Sequence, residues 1–444
     1  MKPIHVLSAL IIICILVSCK PNNEKTDLYR KIPSYELKSD FNNLLERISA
    51  INPDPYNNCS RPHVDSLATE IKNKLTDSMT VLQYYRLVRS FVSAFNDGHF
   101  SMFLPDAYEN DFKTKGGKLL PFNVAIDGKR IFISQSFTAD TTIKTGREIT
   151  AVNGISSDKL IDDMLNFISG DSGPYKMHSL EDRFQILLWR GYGFDNNFDI
   201  TFKNGRHKII TGVLAQKLNI DSAAKQDFNF TLIKVKQQPI GLIKISLMET
   251  EKKEAFDKFL QTTFAAIQQQ QVKTLIIDIR DNGGGSTKLV SALYNYITTK
   301  PYSFGISESY FSNGKLKTDA DTTLTIPAAV KNKFSGKVFL LSNSGTYSTA
   351  HMMANSFKYY KLGVIVGDSS AEKMRISGEV TTLTLPNTGL TVYCPSSVFA
   401  LPNSTGANSR LHPDYQIIPT LNDKLYKKDT VLSYCINLIS RSNN

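Results

Sequence analysis

The chain has 444 residues, of which 41% are hydrophobic, 21% charged and 10% aromatic. That length holds roughly two to four domains of ordinary size, and the composition excludes a disordered chain, a polytopic membrane protein and a disulfide-dense miniature scaffold. Lys and Arg outnumber Asp and Glu by 52 to 41, but the positive residues are scattered and no zinc-finger spacing or stacking-aromatic motif accompanies them, so no nucleic-acid partner is implied.

At the N-terminus, Lys2 precedes an apolar run from Val6 to Val17, too short to cross a bilayer comfortably. Leu16-Val17-Ser18-Cys19 follows and resembles a bacterial lipobox, in which small residues admit the signal peptidase and the Cys19 thiol is acylated. The alternative is an ordinary signal peptide with a chance cysteine. The polar stretch Lys20 to Asp27 suits a tether. The expectation is a signal peptide over 1–18 and a tether over 19–30. The protein would then be an exported lipoprotein of the cell envelope, on the periplasmic side or the cell surface of the outer membrane, with a membrane partner only through its lipid. Cys59, Cys394 and Cys435 form no CxxC and are expected to be free, mostly buried thiols.

Residues from about 36 to 95 carry helical periodicity, within a domain expected over 31–105. Phe41, Leu44, Leu45 and Ile48 share one face, Leu67, Ile71 and Leu75 another, and Leu82 to Val92 a third, with Pro53, Pro55 and Pro62 between the first two. This predicts a small helical N-terminal domain. From about 117 to 215, within a domain expected over 106–215, the pattern changes to short strands and turns, with a hairpin at Asp127-Gly128 and a helix near 157–168. The stretch Thr145 to Gly154 resembles PDZ domains; an unrelated β-rich module is the alternative. From 216 to 444, strands at Ile240–Leu247, Thr274–Ile279, Lys337–Ser342 and Val364–Val366 alternate with helices at 251–270, 286–298 and 348–360. That alternation predicts βαβ units and a layered α/β core.

Two loops of this core carry candidate chemistry. Asp278-Ile279-Arg280-Asp281-Asn282-Gly283-Gly284-Gly285 ends a buried strand in glycines whose N–H groups can point at an anion. A structural turn, a phosphate cradle without a recognised phosphate motif, and an oxyanion hole are all open readings. Ser344 to Ala350 (SGTYSTA) places Ser348 at a helix start, where a plain N-cap competes with a nucleophile beside free N–H groups.

Together and in this order, the two loops resemble the C-terminal processing (tail-specific) and tricorn-core serine peptidase family. Asn96-Asp97-Gly98-His99 and the tail from Pro395 through His412-Pro413-Asp414 resemble its bacterial lipoprotein, tricorn-like branch. The resemblance implies a ClpP/crotonase-like spiral core, Ser348 as nucleophile, and an oxyanion site at Gly283, Gly284 and Thr349. For the base it offers His99 or Lys373, the latter 25 residues after the serine. Lys373 lies beside Glu372 and lacks the glycines usual there, so a solvated charged turn is the expectation for that stretch. His351 stands where the family has Glu, and is expected to point outward. Ala407 is the expected position of a Glu that the tricorn-like branch uses.

The resemblance implies a membrane-anchored endopeptidase acting on peptides or unfolded protein, with no metal or organic cofactor. A catalytically impaired relative that binds peptides or a partner, and a crotonase-like enzyme on acyl thioesters, are the competing functions.

Overall fold

The strand Thr274–Asp278 is buried along its length and divides two cores. Because side chains alternate across a strand, Ile276 faces one side with Ile240, Phe339, Leu341 and Val366, under Val431, Cys435 and Ile439 of the C-terminal helix Thr430–Ser442. Leu275 and Ile277 face the other, with Ile243, Leu340 and Ile365. That side is covered by the helices Lys253–Gln269, Thr287–Ile297 and Thr349–Tyr359 through Leu260, Leu293 and Met353. The computed structural model describes residues 29–218, 227–236, 238–312, 315–318, 324–403 and 410–442. Cys14, Cys19 and Ala407 lie outside them.

The sheet has six strands, in the order Phe228–Val235, Gln238–Ile245, Thr274–Asp278, Lys337–Ser342, Val364–Gly367 and Tyr415–Gln416. The first pair is antiparallel and the rest are parallel. The glycine loop and the serine loop both leave the carboxyl ends of neighbouring parallel strands. That end of a parallel sheet is where such folds place their sites.

The N-terminal helices form as the periodicity predicts, at Ser34–Ile51, Arg61–Lys74 and Val81–Ser93. They do not pack alone. The long hairpin Arg375–Thr384/Thr391–Ala400 reaches over from the C-terminal half, and its Leu383, Leu385, Leu390, Val392 and Cys394 are buried with Phe41, Leu44 and Phe91. The strand Ser101–Phe103 pairs with the hairpin, Ser101 opposite Tyr393 and Phe103 opposite Thr391. At the hairpin turn the fully buried Asp40 carboxylate accepts from the backbone N–H and side chain of both Asn387 and Thr388.

Between these parts lies an antiparallel sheet with Phe122–Asp127 and His207–Thr211 at its edges. The Asp127-Gly128 hairpin and the helix Ser157–Leu165 stand where expected. The segment also holds a helix not expected from its pattern, Gly173–Tyr192. Its signals are local: Ser172 accepts from the Tyr175 N–H, Pro174 sits in the first turn and Gly193 ends it at φ +75°. Cys59 is half-buried, and Cys394 and Cys435 are buried; all three are free. Among the described residues no helix is long and apolar enough to cross a membrane.

Removing the Asp40 carboxylate strands the donors of the hairpin turn. Asp40→Ala is expected to lower unfolding stability in urea by about 2–4 kcal/mol, and Asp40→Asn by less. An unchanged urea midpoint for Asp40→Ala would contradict the clamp.

Candidate active site

The glycine loop is held from behind. Arg280 donates from Nε to Asp278 Oδ1 at 2.9 Å and from Nη2 to Asp278 Oδ2 at 2.7 Å, and its guanidinium also bridges to both oxygens of Asp429. Asn282 donates from Nδ2 to the Ile245 carbonyl at 2.9 Å, and its Oδ1 accepts the Gly284 N–H at 2.8 Å. Gly284 and Gly285 have φ +100° and +130°. A Cβ on Gly284 would lie 2.6 Å from Ser348 Cβ, and one on Gly285 would lie 2.1 Å from the Met248 carbonyl oxygen. Both positions therefore require glycine.

The serine loop is joined to this bend. Tyr347 N–H donates to the Asn282 carbonyl at 2.9 Å, Thr346 Oγ1 to that of Ile279 at 3.1 Å and Thr349 Oγ1 to that of Gly285 at 2.6 Å. Ser348 itself has φ +51° and ψ −125°, a strained conformation for a residue with a side chain. Its N–H donates to Glu372 Oε2. Its hydroxyl makes no capping bond to the helix Thr349–Tyr359, so the plain N-cap reading falls. Ser348 Oγ lies instead 3.0 Å from His99 Nε2.

His99 comes from 249 residues away in sequence. Asn96 turns the chain at φ +50°, Asp97 Oδ1 accepts the His99 N–H at 2.8 Å, and the strand from Ser101 ties the segment to the hairpin. Gly98 is required because a Cβ there would lie 2.5 Å from Tyr347 Oη. The other ring nitrogen of His99, Nδ1, is 3.1 Å from Tyr347 Oη, and that hydroxyl donates to Asp171 Oδ2 at 2.5 Å. Nδ1 is 3.6 Å from Asp97 Oδ1 and 3.7 Å from Glu372 Oε1.

Burial alone would disfavour the imidazolium, but Asp97, Glu372 and Asp171 outweigh it and raise the His99 pKa to about 9. Burial, then the charge of Asp97, pushes Asp171 up to about 6 against the opposing hydrogen bond from Tyr347. Burial also pushes Glu372 well above the usual carboxylate range.

Several expectations are corrected. The Gly284 N–H is committed to Asn282 and is not a free oxyanion donor. The N–H groups of Gly283 and Thr349 have no hydrogen-bond partner among the described residues. His351 points inward: it is fully buried, bonded to Ser370 Oγ at 2.6 Å and the Lys373 carbonyl at 2.8 Å. Burial drives its pKa down to about 4, which leaves it a neutral structural group. The stretch around Lys373 is not a solvated turn, because Glu372 is wholly buried and the backbone at Lys373 forms an antiparallel β-bridge with that at Arg410. Among the described residues no hydrogen bond joins Lys373 to Ser348. The sequence reading missed Asp171 and gave no role to Tyr347 or Glu372. The Ser172-Pro174 helix start was the signal that would have drawn attention to Asp171.

Residues 239–417 match the sequence model of peptidase family S41. A tail-specific protease of Haemophilus influenzae is 27% identical over 172 residues, 38% of this chain and 22% of that protein. The match thus spans about a fifth of the curated relative's length. The structure of mature CPAF complexed with lactacystin is similar at TM-score 0.66 and 14% identity, over 92% of this chain and 100% of that one. A second structure of mature CPAF gives TM-score 0.62 and 14% identity, over 91% and 96%. The likeness extends the shared α/β fold beyond the matched segment to the helical and β-rich parts. His99 therefore reaches Ser348 from outside the matched segment.

The electrostatics are directly measurable. The His99 imidazole is expected to titrate near 9 in an NMR pH series, well above the ordinary 6.5. A value at or below 6.5 would mean that burial outweighs the three carboxylates.

Proposed function

We propose that this chain is a serine endopeptidase. The carrying observation is the 3.0 Å approach of His99 Nε2 to the hydroxyl of a strained Ser348. Neutral His99 takes the hydroxyl proton as Ser348 Oγ attacks a peptide carbonyl. The charge that develops on the carbonyl oxygen is met by the N–H groups of Gly283 and Thr349, the latter at a helix N-terminus. His99 returns the proton to the leaving amine, and water then hydrolyses the acyl-enzyme. The core would be a ClpP/crotonase-like spiral. This arrangement favours an enzyme over a peptide-binding relative, since a binding module needs no base at its serine.

The β-rich part is proposed to be PDZ-like and to present a peptide to the site. A cavity of 470 Å³ between the edge strand Phe122–Asp127 and the helix Gly173–Tyr192, lined by Asn123, Val124, His178 and Gln185, supports strand addition there. His178 also pairs with Asp281 of the glycine loop at 3.1 Å. Export and lipid anchoring through Cys19 remain part of the proposal and rest on the leader sequence alone.

A fluorophosphonate probe tests the assignment. Ser348 is expected to label, Ser348→Ala to abolish the adduct and His99→Ala to slow it about 100-fold or more, while Lys373→Ala stays within about twofold, since Lys373 makes no contact with the hydroxyl. The base works only when neutral, so labelling should rise with pH through the His99 pKa near 9. No adduct on correctly folded protein at pH 9 would refute the peptidase reading and leave the binding lipoprotein.

A further inference from the structure

We infer that Tyr347 and Asp171 are the positioning pair for His99, a phenol bonded to a carboxylate standing where a single carboxylate would otherwise hold the imidazole. The inference rests on the Ser348–His99 reading and deepens it. A histidine base needs its far nitrogen held as N–H, so that the near nitrogen keeps a lone pair for the serine proton. The carboxylates closest to Nδ1, on Asp97 and Glu372, stand at 3.6 and 3.7 Å, beyond hydrogen-bond reach. Tyr347 Oη is within reach at 3.1 Å.

The direction of that bond follows from counting protons. A phenol has one, and Tyr347 donates it to Asp171 Oδ2 at 2.5 Å. Toward His99 the phenolic oxygen can therefore only accept, which puts the proton on Nδ1 and leaves Nε2 bare toward Ser348. Burial raises the Tyr347 pKa well above 10, so the phenol keeps its proton.

The pair is built to stay in place. The Tyr347 ring lies 4.8 Å from that of His99 and stacks on Tyr175 at 4.9 Å. Gly98 makes room for its hydroxyl and donates its own N–H to Asp171 Oδ2 at 3.0 Å. Arg410 donates to the Asp171 carbonyl at 2.8 Å. Asp171 belongs to the β-rich part, Tyr347 to the segment matched to family S41 and His99 to the N-terminal part. The pair thus makes the base's orientation depend on how the β-rich part is seated.

The test uses the full chain with isotope-labelled histidine and the fluorophosphonate probe. Nitrogen NMR of neutral His99, at about pH 10, is expected to show Nδ1–H in the wild type. Tyr347→Phe keeps the stacked ring, but should lose that tautomer preference and slow labelling about 10- to 100-fold. The groups facing His99 are Asp97 on its own segment, Asp171, Tyr347 and Glu372, with His351 behind them. Asp171→Asn removes one negative charge from this set, so the midpoint of the labelling profile should move to lower pH while its plateau falls. A merely structural role would lower melting temperature and plateau together without moving the midpoint.

An Nε2–H tautomer in the wild type, wild-type labelling by Tyr347→Phe, or an unmoved midpoint in Asp171→Asn would each overturn the inference. These outcomes are separable from failure of the peptidase reading. That failure shows as an unlabelled Ser348 in the wild type, whereas the tautomer is read without any reaction.

Discussion

A serine held at φ +51° is the constraint on which the rest of the site depends. Such a backbone costs about 1–3 kcal/mol and persists only where its surroundings over-determine it. Here they do. The residue before it is pinned to Asn282, the residue after it to Gly285, and its own N–H to the buried carboxyl of Glu372. The conformation turns the hydroxyl out of the helix axis toward His99 and leaves the Thr349 N–H open beside the glycine bend. A relaxed backbone would let Ser348 act as an ordinary helix cap.

Glu372 shows how burial reshapes the chemistry of the same cluster. Three carboxyl groups, Asp97, Asp171 and Glu372, crowd one imidazole. Burial pushes the Glu372 carboxyl well above the usual carboxylate range, the charge of His99 pulls it back down, and one of its oxygens holds the Ser348 N–H. Asp171, helped by the Tyr347 hydroxyl and the Gly98 N–H, titrates lower and carries charge at neutral pH.

Much of this was legible in the chain. The alternation of apolar strands with helices after residue 238 set out the sheet, because buried parallel strands read as unbroken runs such as Thr274–Ile279. The glycine loop and Ser348 were legible because their residue types answer to local backbone needs. His99 was reachable only through its motif, since its approach to Ser348 is made by the hairpin Arg375–Thr384/Thr391–Ala400, a long-range pairing with no local signature. Glu372, His351 and Asp171 were misread or missed for a related reason. A charged or polar residue in a sequence looks solvated until tertiary packing buries it, and the partners that make burial tolerable, Ser348 N–H, Ser370 and Tyr347, lie 19 to 176 residues away.

The account's central claim is that one hydroxyl and two amides from separate loops surround the same point in space. A crystal structure of the phosphonylated protein measures this directly. The adduct should sit on Ser348 Oγ with its phosphoryl oxygen about 2.7–3.1 Å from the N–H nitrogens of both Gly283 and Thr349. An adduct on Ser348 whose oxygen turns to solvent, with either amide more than about 4 Å away, would contradict it.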